Sequence, residues 1–282
     1  MKRYVRDLTL LRPWGGFTPA YDPFATSIVH AYEPARRVLS SYTGSLVRLR
    51  RASDNAEADF GYLGNGDLDV AAIAAWAGGA SYVVTVYDQG GFADDVTMAV
   101  AGSQPLYVAS IQNGHAGMRL DGTNDYLQGA FTTGGVLSQP CSVFATAALD
   151  LVAVDDNVSR DIIDGDDAVG RMVLYKNRDT TPDTWALYSG LAPINGAAAN
   201  SNWNVWAGLF NGAASQFWIN GTSQAVGNPG AGNPDGLTIG ANNTGASLWD
   251  GDIASVVICD PSLSDAQRVG MQGAMNAYWG VF

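Results

Sequence analysis

What most constrains the fold of this chain is a succession of short β-prone runs broken by glycine turns. Ten candidate strands lie at 106–110, 118–120, 125–130, 142–149, 171–176, 184–188, 204–210, 216–219, 237–239 and 253–259. Asn220-Gly221, directly after Phe217-Trp218-Ile219, is the kind of dipeptide that closes a two-residue hairpin, and Asn211-Gly212 and Asn113-Gly114 are similar. Strands at this spacing with little helix between them predict an antiparallel sandwich or barrel. Upstream, 81–87 (SYVVTVY) is a strand on β-propensity, and 45–51 alternates as a half-buried one. Three helices are expected: 34–41 with Pro34 in its first turn, 70–77 capped by Asp67 or Asp69, and a C-terminal helix opened by the capping box Ser264–Gln267. Val269, Met271, Met275 and Tyr278 would form the apolar face of this last helix.

Composition narrows the class further. Of 282 residues 47% are apolar and 15% charged, which excludes an intrinsically disordered chain. No apolar run is long enough for a membrane span, and MKRYVRDLTLL, interrupted by Arg6 and Asp7, lacks a signal-peptide core. Two cysteines, Cys141 and Cys259, make no disulfide scaffold and no metal motif; buried free thiols are expected. Residues 1–51 carry nine basic and three acidic groups, so a front end of +6 precedes a body of −18. Such a body repels phosphate, which argues against nucleic-acid binding.

Residues 1–28 combine proline and glycine breaks with aromatic side chains. They are expected to be an extended docking arm, with Arg3, Arg6, Arg12, Trp14, Phe17, Tyr21 and Phe24 as its assembly contacts.

Two stretches carry a family resemblance. AYEPARRVLSSYTGSLVRLRRASDNAEADFGY (31–62), LDVAAIAAWAG (68–78) and SYVVTVYDQGG (81–91) resemble the opening of the α-L-arabinofuranosidase B catalytic domain, as found also in bacterial and phage proteins, with Gly90-Gly91 ending the YDQ turn. MRLDGTNDYL (118–127), the hairpin WNVWAGLFNGAASQFWINGTSQ (203–224) and LTIGANNTGASLWDGDIASVVICDPSLSDAQ (237–267) are similar to a laminin G-like or concanavalin A-like sandwich. The resemblance implies an all-β, concanavalin A-like jelly roll with short N-terminal helices. It divides into an arm (1–28), an arabinofuranosidase-B-like subdomain packed on the sandwich (29–104) and the sandwich itself (105–282).

The chemistry is harder to place. Glycoside hydrolysis needs two carboxyl groups. The resembled family uses a glutamate nucleophile beside paired cysteines, whereas the corresponding stretch here, DLVAVDDNVSRDIIDGDDAVG (150–170), contains neither. Asp161, Asp164, Asp166 and Asp167 are the nearby carboxylates. Calcium takes oxygen ligands, which makes Asp164, Asp166 and Asp167 metal candidates, although a solvated acidic loop fits the same pattern and no cofactor is required. Asp88 in the YDQ turn reads as a cap. Trp206 and Trp218 read as core. Trp185 and Trp249, with Asn242, Asn243 and Asp250, are candidates for a sugar platform. His30 and His115 have no GxSxG elbow to serve.

These readings lead to an expectation of a non-enzymatic structural or adhesion component of a tailed-phage virion, assembled in the host cytoplasm. It would be homo-oligomeric, anchored to other virion proteins by its arm and able to bind host-surface polysaccharide, with no nucleic acid and no membrane insertion. The alternatives are a glycoside hydrolase of the arabinofuranosidase type and a free carbohydrate-binding module. A carboxyl pair in a pocket separates the hydrolase from the rest.

Overall fold

The structure, a computed structural model, describes residues 17–282. Among these residues eighteen strands form one hydrogen-bonded antiparallel network that is nearly closed on itself, with two α-helices outside it. At its centre lies the long strand Asp250–Cys259. One edge pairs with Cys141–Leu149; the other is shared by His115–Asp121 and Ile28–Tyr32. Cys141–Leu149 leads on to Asn204–Phe210, Ser215–Ile219 and Thr222–Gly227. A second group runs from Leu127–Ala130 through Gly236–Ile239, Arg160–Asp164, Val173–Asn177 and Thr184–Tyr188 to Ile194–Ala198. Strands of 29–104 and of 105–282 contribute to the same apolar core: Leu46, Leu49, Val83 and Val86 pack with Val143, Trp206 and Ile258.

Several strands are apolar at every position because both their faces are covered. In Cys141–Leu149, Val143, Ala145 and Ala147 enter the main core, while Phe144 faces a second cluster under the C-terminal helix. In Asp250–Cys259 the alternation changes parity at a bulge between Ile253 and Ser255. Ile253, Val256 and Ile258 therefore all reach the main core, and Ala254 and Val257 the second. Cys259 belongs to the second cluster and Cys141 to the first, so the two buried thiols lie on opposite faces of the sheet and remain free.

The helix Asp265–Trp279 begins with the expected capping box, with Ser264 accepting from the Gln267 amide. Met271, Met275 and Trp279, spaced by four, bury its inner face. Val269 is 57% exposed and not part of that face. The helix Val70–Ala77 is capped by Asp69, which accepts from the Ala72 amide.

The expected helix over 34–41 does not form. Its backbone is satisfied by Gln89 instead: the Gln89 side-chain amide donates to the Glu33 and Arg36 carbonyls, and its Oε1 accepts from the Val38 amide. An isolated bridge between Arg36 and Asp67 holds the segment extended. Asp88, next in the same turn, accepts from the Ala31, Gly90 and Asp94 amides and meets His30 Nδ1 at 2.8 Å. It is a structural clamp, as the cap reading has it. Gly90 is required there because a Cβ would lie 2.1 Å from the Val29 carbonyl oxygen.

Arg3, Arg6, Arg12 and Trp14 lie outside the described residues. The described end of the arm packs on its own chain. Tyr21 is fully buried, its hydroxyl donating to Glu33, and Phe24 reaches the C-terminal helix beside Gly270. Phe17 rests on Gly66 and under the Arg37 guanidinium.

Candidate functional site

The acidic stretch that reads as loop contains a strand, Arg160–Asp164, which pairs with Val173–Asn177 so that Asp161 stands opposite Tyr175. Alternation then decides which side chains share a face. Leu174 and Trp185 turn into the core. Lys176, fully buried on that side, is held by Asp183 at 2.7 Å and by the Ala153 carbonyl. Val173, Tyr175 and Asn177 turn the other way, with Tyr188 from the next strand opposite Val173. With Asp161, Arg171, Asp179 and Asn242 they line a pocket of about 260 Å³.

At the floor is Asp161, 2% exposed. Its amide donates to the Ser247 carbonyl, which ties the 242–249 loop to the pocket wall. Its carboxyl forms no hydrogen bond among the described residues, and the Arg171 guanidinium lies 3.7 Å away. Burial, reinforced by the nearby Asp164 charge and only partly opposed by Arg171, pushes the Asp161 carboxyl well above the usual range. It therefore keeps its proton to higher pH than an ordinary carboxyl does. Arg171 is fixed from behind by Asp164, at 2.7 and 2.9 Å, and lies 5.3 Å from the Tyr188 ring centroid. Asp164 Oδ2 also accepts from the Asn243 amide and its Oδ1 from Gly165, so this carboxylate is consumed internally. Asp179 stands at the mouth, its side chain 80% exposed. Burial, together with the Asp161 and Asp179 charges, raises the Tyr175 hydroxyl, so both carboxyl groups bear on the same ring. The arrangement is a buried carboxyl with raised proton affinity in a confined polar pocket, with an exposed carboxyl group at the rim.

Of the expected sugar residues, only Asn242 lines this pocket. Its Oδ1 is occupied by Thr244 and Ala246 of its own turn. Asn243 supports Asp164, and Asp250 lines a different cleft. Trp185 and Trp249 cannot be platforms: they are 1% and 0% exposed and pack with Trp206 in the core. Trp206 and Trp218 are core residues, as read. The metal candidates divide likewise. Asp166 and Asp167 gather with Asp235, their carboxylate oxygens within 4.8 Å of one another, while Asp164 is engaged by Arg171. Tyr175, Tyr188, Arg171, Asn177 and Asp179 were missed. Alternation along 171–176 and 184–188 places the first two on a common face, but the pairing with Asp161 is a long-range fact.

Neither glutamate of the chain is in the pocket. Glu33 is buried against Tyr21 and Arg36, and Glu57 is exposed on the strand Glu57–Phe60. Any carboxylate chemistry here falls to aspartates.

The family model for the α-L-arabinofuranosidase B catalytic domain matches residues 19–136. An α-L-arabinofuranosidase of Hypocrea jecorina is 34% identical over 83 residues, which are 29% of this chain and 17% of that protein. Among solved structures, a GH54 α-L-arabinofuranosidase soaked with a cyclic sulfate inhibitor has a TM-score of 0.71 at 15% identity. An arabinofuranosidase complexed with arabinofuranosyl-α-1,2-xylobiose has a TM-score of 0.68 at 17%. Each alignment covers 94% of this chain and 65% of the other. The chain thus spans about 65% of those structures and a smaller part of the curated relative. The structural likeness shows the fold. The family match ends at residue 136, before the pocket residues begin. These findings overturn the expectation of a non-enzymatic tailed-phage virion component with virion partners: the family model and the curated relative point to a resemblance to the arabinofuranosidase B catalytic domain carried by residues 19–136, in a fold that the solved structures share.

Proposed function

We propose that the protein is a glycoside hydrolase of the arabinofuranosidase type acting at the Asp161 pocket. The observation that carries this reading is the buried Asp161 carboxyl, without a hydrogen bond among the described residues, at the floor of a small pocket, in a fold shared with arabinofuranosidases. Hydrolysis needs an acid to protonate the departing glycosidic oxygen and a second carboxylate for the other face of the sugar. Asp161 is the acid. Once it has given up its proton, Arg171 at 3.7 Å stabilises the carboxylate. Asp179, exposed at the rim, is the second carboxyl group and activates water. Tyr175 and Tyr188 supply ring faces for the sugar. We also read the architecture as a concanavalin A-like jelly roll, supported by its wholly antiparallel pairing around one main core.

The test is release of arabinose from arabinofuranosyl-α-1,2-xylobiose, the oligosaccharide complexed with an arabinofuranosidase of similar fold, whose sugar leaving group needs the proton of the acid. Turnover that Asp161→Asn abolishes supports the reading. Binding of the glycoside without turnover would reduce the pocket to a sugar-binding site. Turnover unaffected by Asp161→Asn would place the chemistry elsewhere.

A further inference from the structure

A much larger cleft, of about 1140 Å³, opens elsewhere on the molecule and shares no lining residue with the Asp161 pocket. It exceeds the usual size for a single small ligand, so an occupant that fills it is an extended molecule. Its wall is built by the ends of His115–Asp121 and Asp250–Cys259, where Asp121 stands directly opposite Asp250, and by the turns that follow Cys141–Leu149 and precede Asn204–Phe210.

The polar lining is selective. Five aspartates face two arginines, and both arginines are committed. Arg119 pairs with Asp252 at 2.7 Å. Arg50 donates to Gln104, Asn55 and the Ala101 carbonyl and stacks on Tyr82. An anionic ligand would meet uncompensated carboxylates and find no free cation among the described residues. Asp125, only 8% exposed, accepts from the Asp121 amide through Oδ2 at 3.3 Å, while its Oδ1 has no partner among the described residues. Burial and the Asp121 charge push this carboxyl to about 6, so near neutrality it can either accept from a ligand hydroxyl or donate to one. Two partly exposed aromatics supply apolar faces. Tyr82 is backed by Arg50, and Trp203 lies parallel to the buried Trp279, with an interplanar angle of 2°. Aromatic faces beside an unpartnered hydroxyl-binding group are the features that recognise a neutral, hydroxyl-rich chain.

We propose that this cleft is a second saccharide site, without a catalytic role, that holds a neutral oligosaccharide through Trp203, Tyr82 and Asp125. The inference does not rest on the reading of the Asp161 pocket.

Titration calorimetry of the full chain with xylohexaose, arabinohexaose and cellohexaose tests it, with calcium as a control ligand. Saturable binding of at least one hexaose is expected. Trp203→Ala and Asp125→Leu should each weaken it by about tenfold or more, Asp125→Asn, which keeps an acceptor, much less, and Asp161→Asn not at all. Near-UV circular dichroism checks that each variant is folded. Should Trp203→Ala fail to fold, Tyr82→Ala takes its place. The proposal is overturned if none of the three binds at millimolar concentration. It is equally overturned if binding is lost in Asp161→Asn and insensitive to the cleft variants. Calcium binding that depends on Asp125, in the absence of hexaose binding, would replace it with a cation site.

Discussion

The YDQ clamp and the Asp161 pocket are both built around buried aspartates, and they treat them oppositely. Asp88 receives three backbone amides and faces His30. The Asp161 carboxyl receives no hydrogen bond among the described residues, and the Arg171 guanidinium stands 3.7 Å from it. The clamp falls inside the stretch matched by the family model; the pocket falls outside it. A carboxylate whose bonds are all internal fixes backbone and has nothing left for a ligand. One buried without partners destabilises the fold and is available for chemistry. The matched stretch contains the clamp, and the proposed acid lies outside it.

The largest expected effect breaks the comparison at the pocket. Asp161→Asn should lower kcat/KM on arabinofuranosyl-α-1,2-xylobiose by about 10²–10⁴-fold, the span of a lost general acid. It should leave urea-unfolding stability equal or higher, because the ionisable group is poorly accommodated. A variant that loses both activity and stability would make Asp161 a structural residue like Asp88.

At the clamp the signs reverse. Asp88→Ala leaves the Ala31, Gly90 and Asp94 amides without their acceptor. Buried unpaired donors cost about 1–3 kcal/mol each, so a loss of about 3 kcal/mol or more in urea unfolding is expected, with kcat/KM per folded molecule unchanged. Gly90→Ala, forced against the Val29 carbonyl, should cost about 1–3 kcal/mol on the same assay.

The pH dependence sharpens the contrast. In the folded protein Asp161 keeps its proton to higher pH than in the unfolded chain. Its contribution to stability is therefore complete below about pH 4, the ordinary carboxyl value. It declines as pH rises from there towards the raised value. Thermal unfolding of Asp161→Asn should show a shallower decline over that window than the parent. Hydrolysis should fall on the alkaline side, as the acid loses its proton. The smallest effect is expected far from both sites, where Ser264→Ala removes a helix cap and about 1 kcal/mol.

Much of the sheet was legible in the sequence. Each of the ten strands read between Leu106 and Cys259 overlaps one in the structure, because apolar runs bounded by glycine turns have few other ways to bury themselves. Both helix caps were legible too, since a cap is a contact between near neighbours. The helix over 34–41 was misread because its carbonyls are taken by Gln89, more than fifty residues away in sequence. The strand Arg160–Asp164 was missed because its aspartates read as turn residues until Val173–Asn177 and Gly236–Ile239 supply it with partners.

The sequence by itself determined that this is an antiparallel β protein with a capped C-terminal helix, free buried thiols and a carboxylate supply made almost wholly of aspartate. Only the tertiary structure decided which aspartate is left without hydrogen bonds. Asp88, Asp161 and Asp164 are the same residue type and similarly buried. What separates them is how many amides and cations distant segments bring within hydrogen-bonding reach, and that number is set by strand pairing across the sheet.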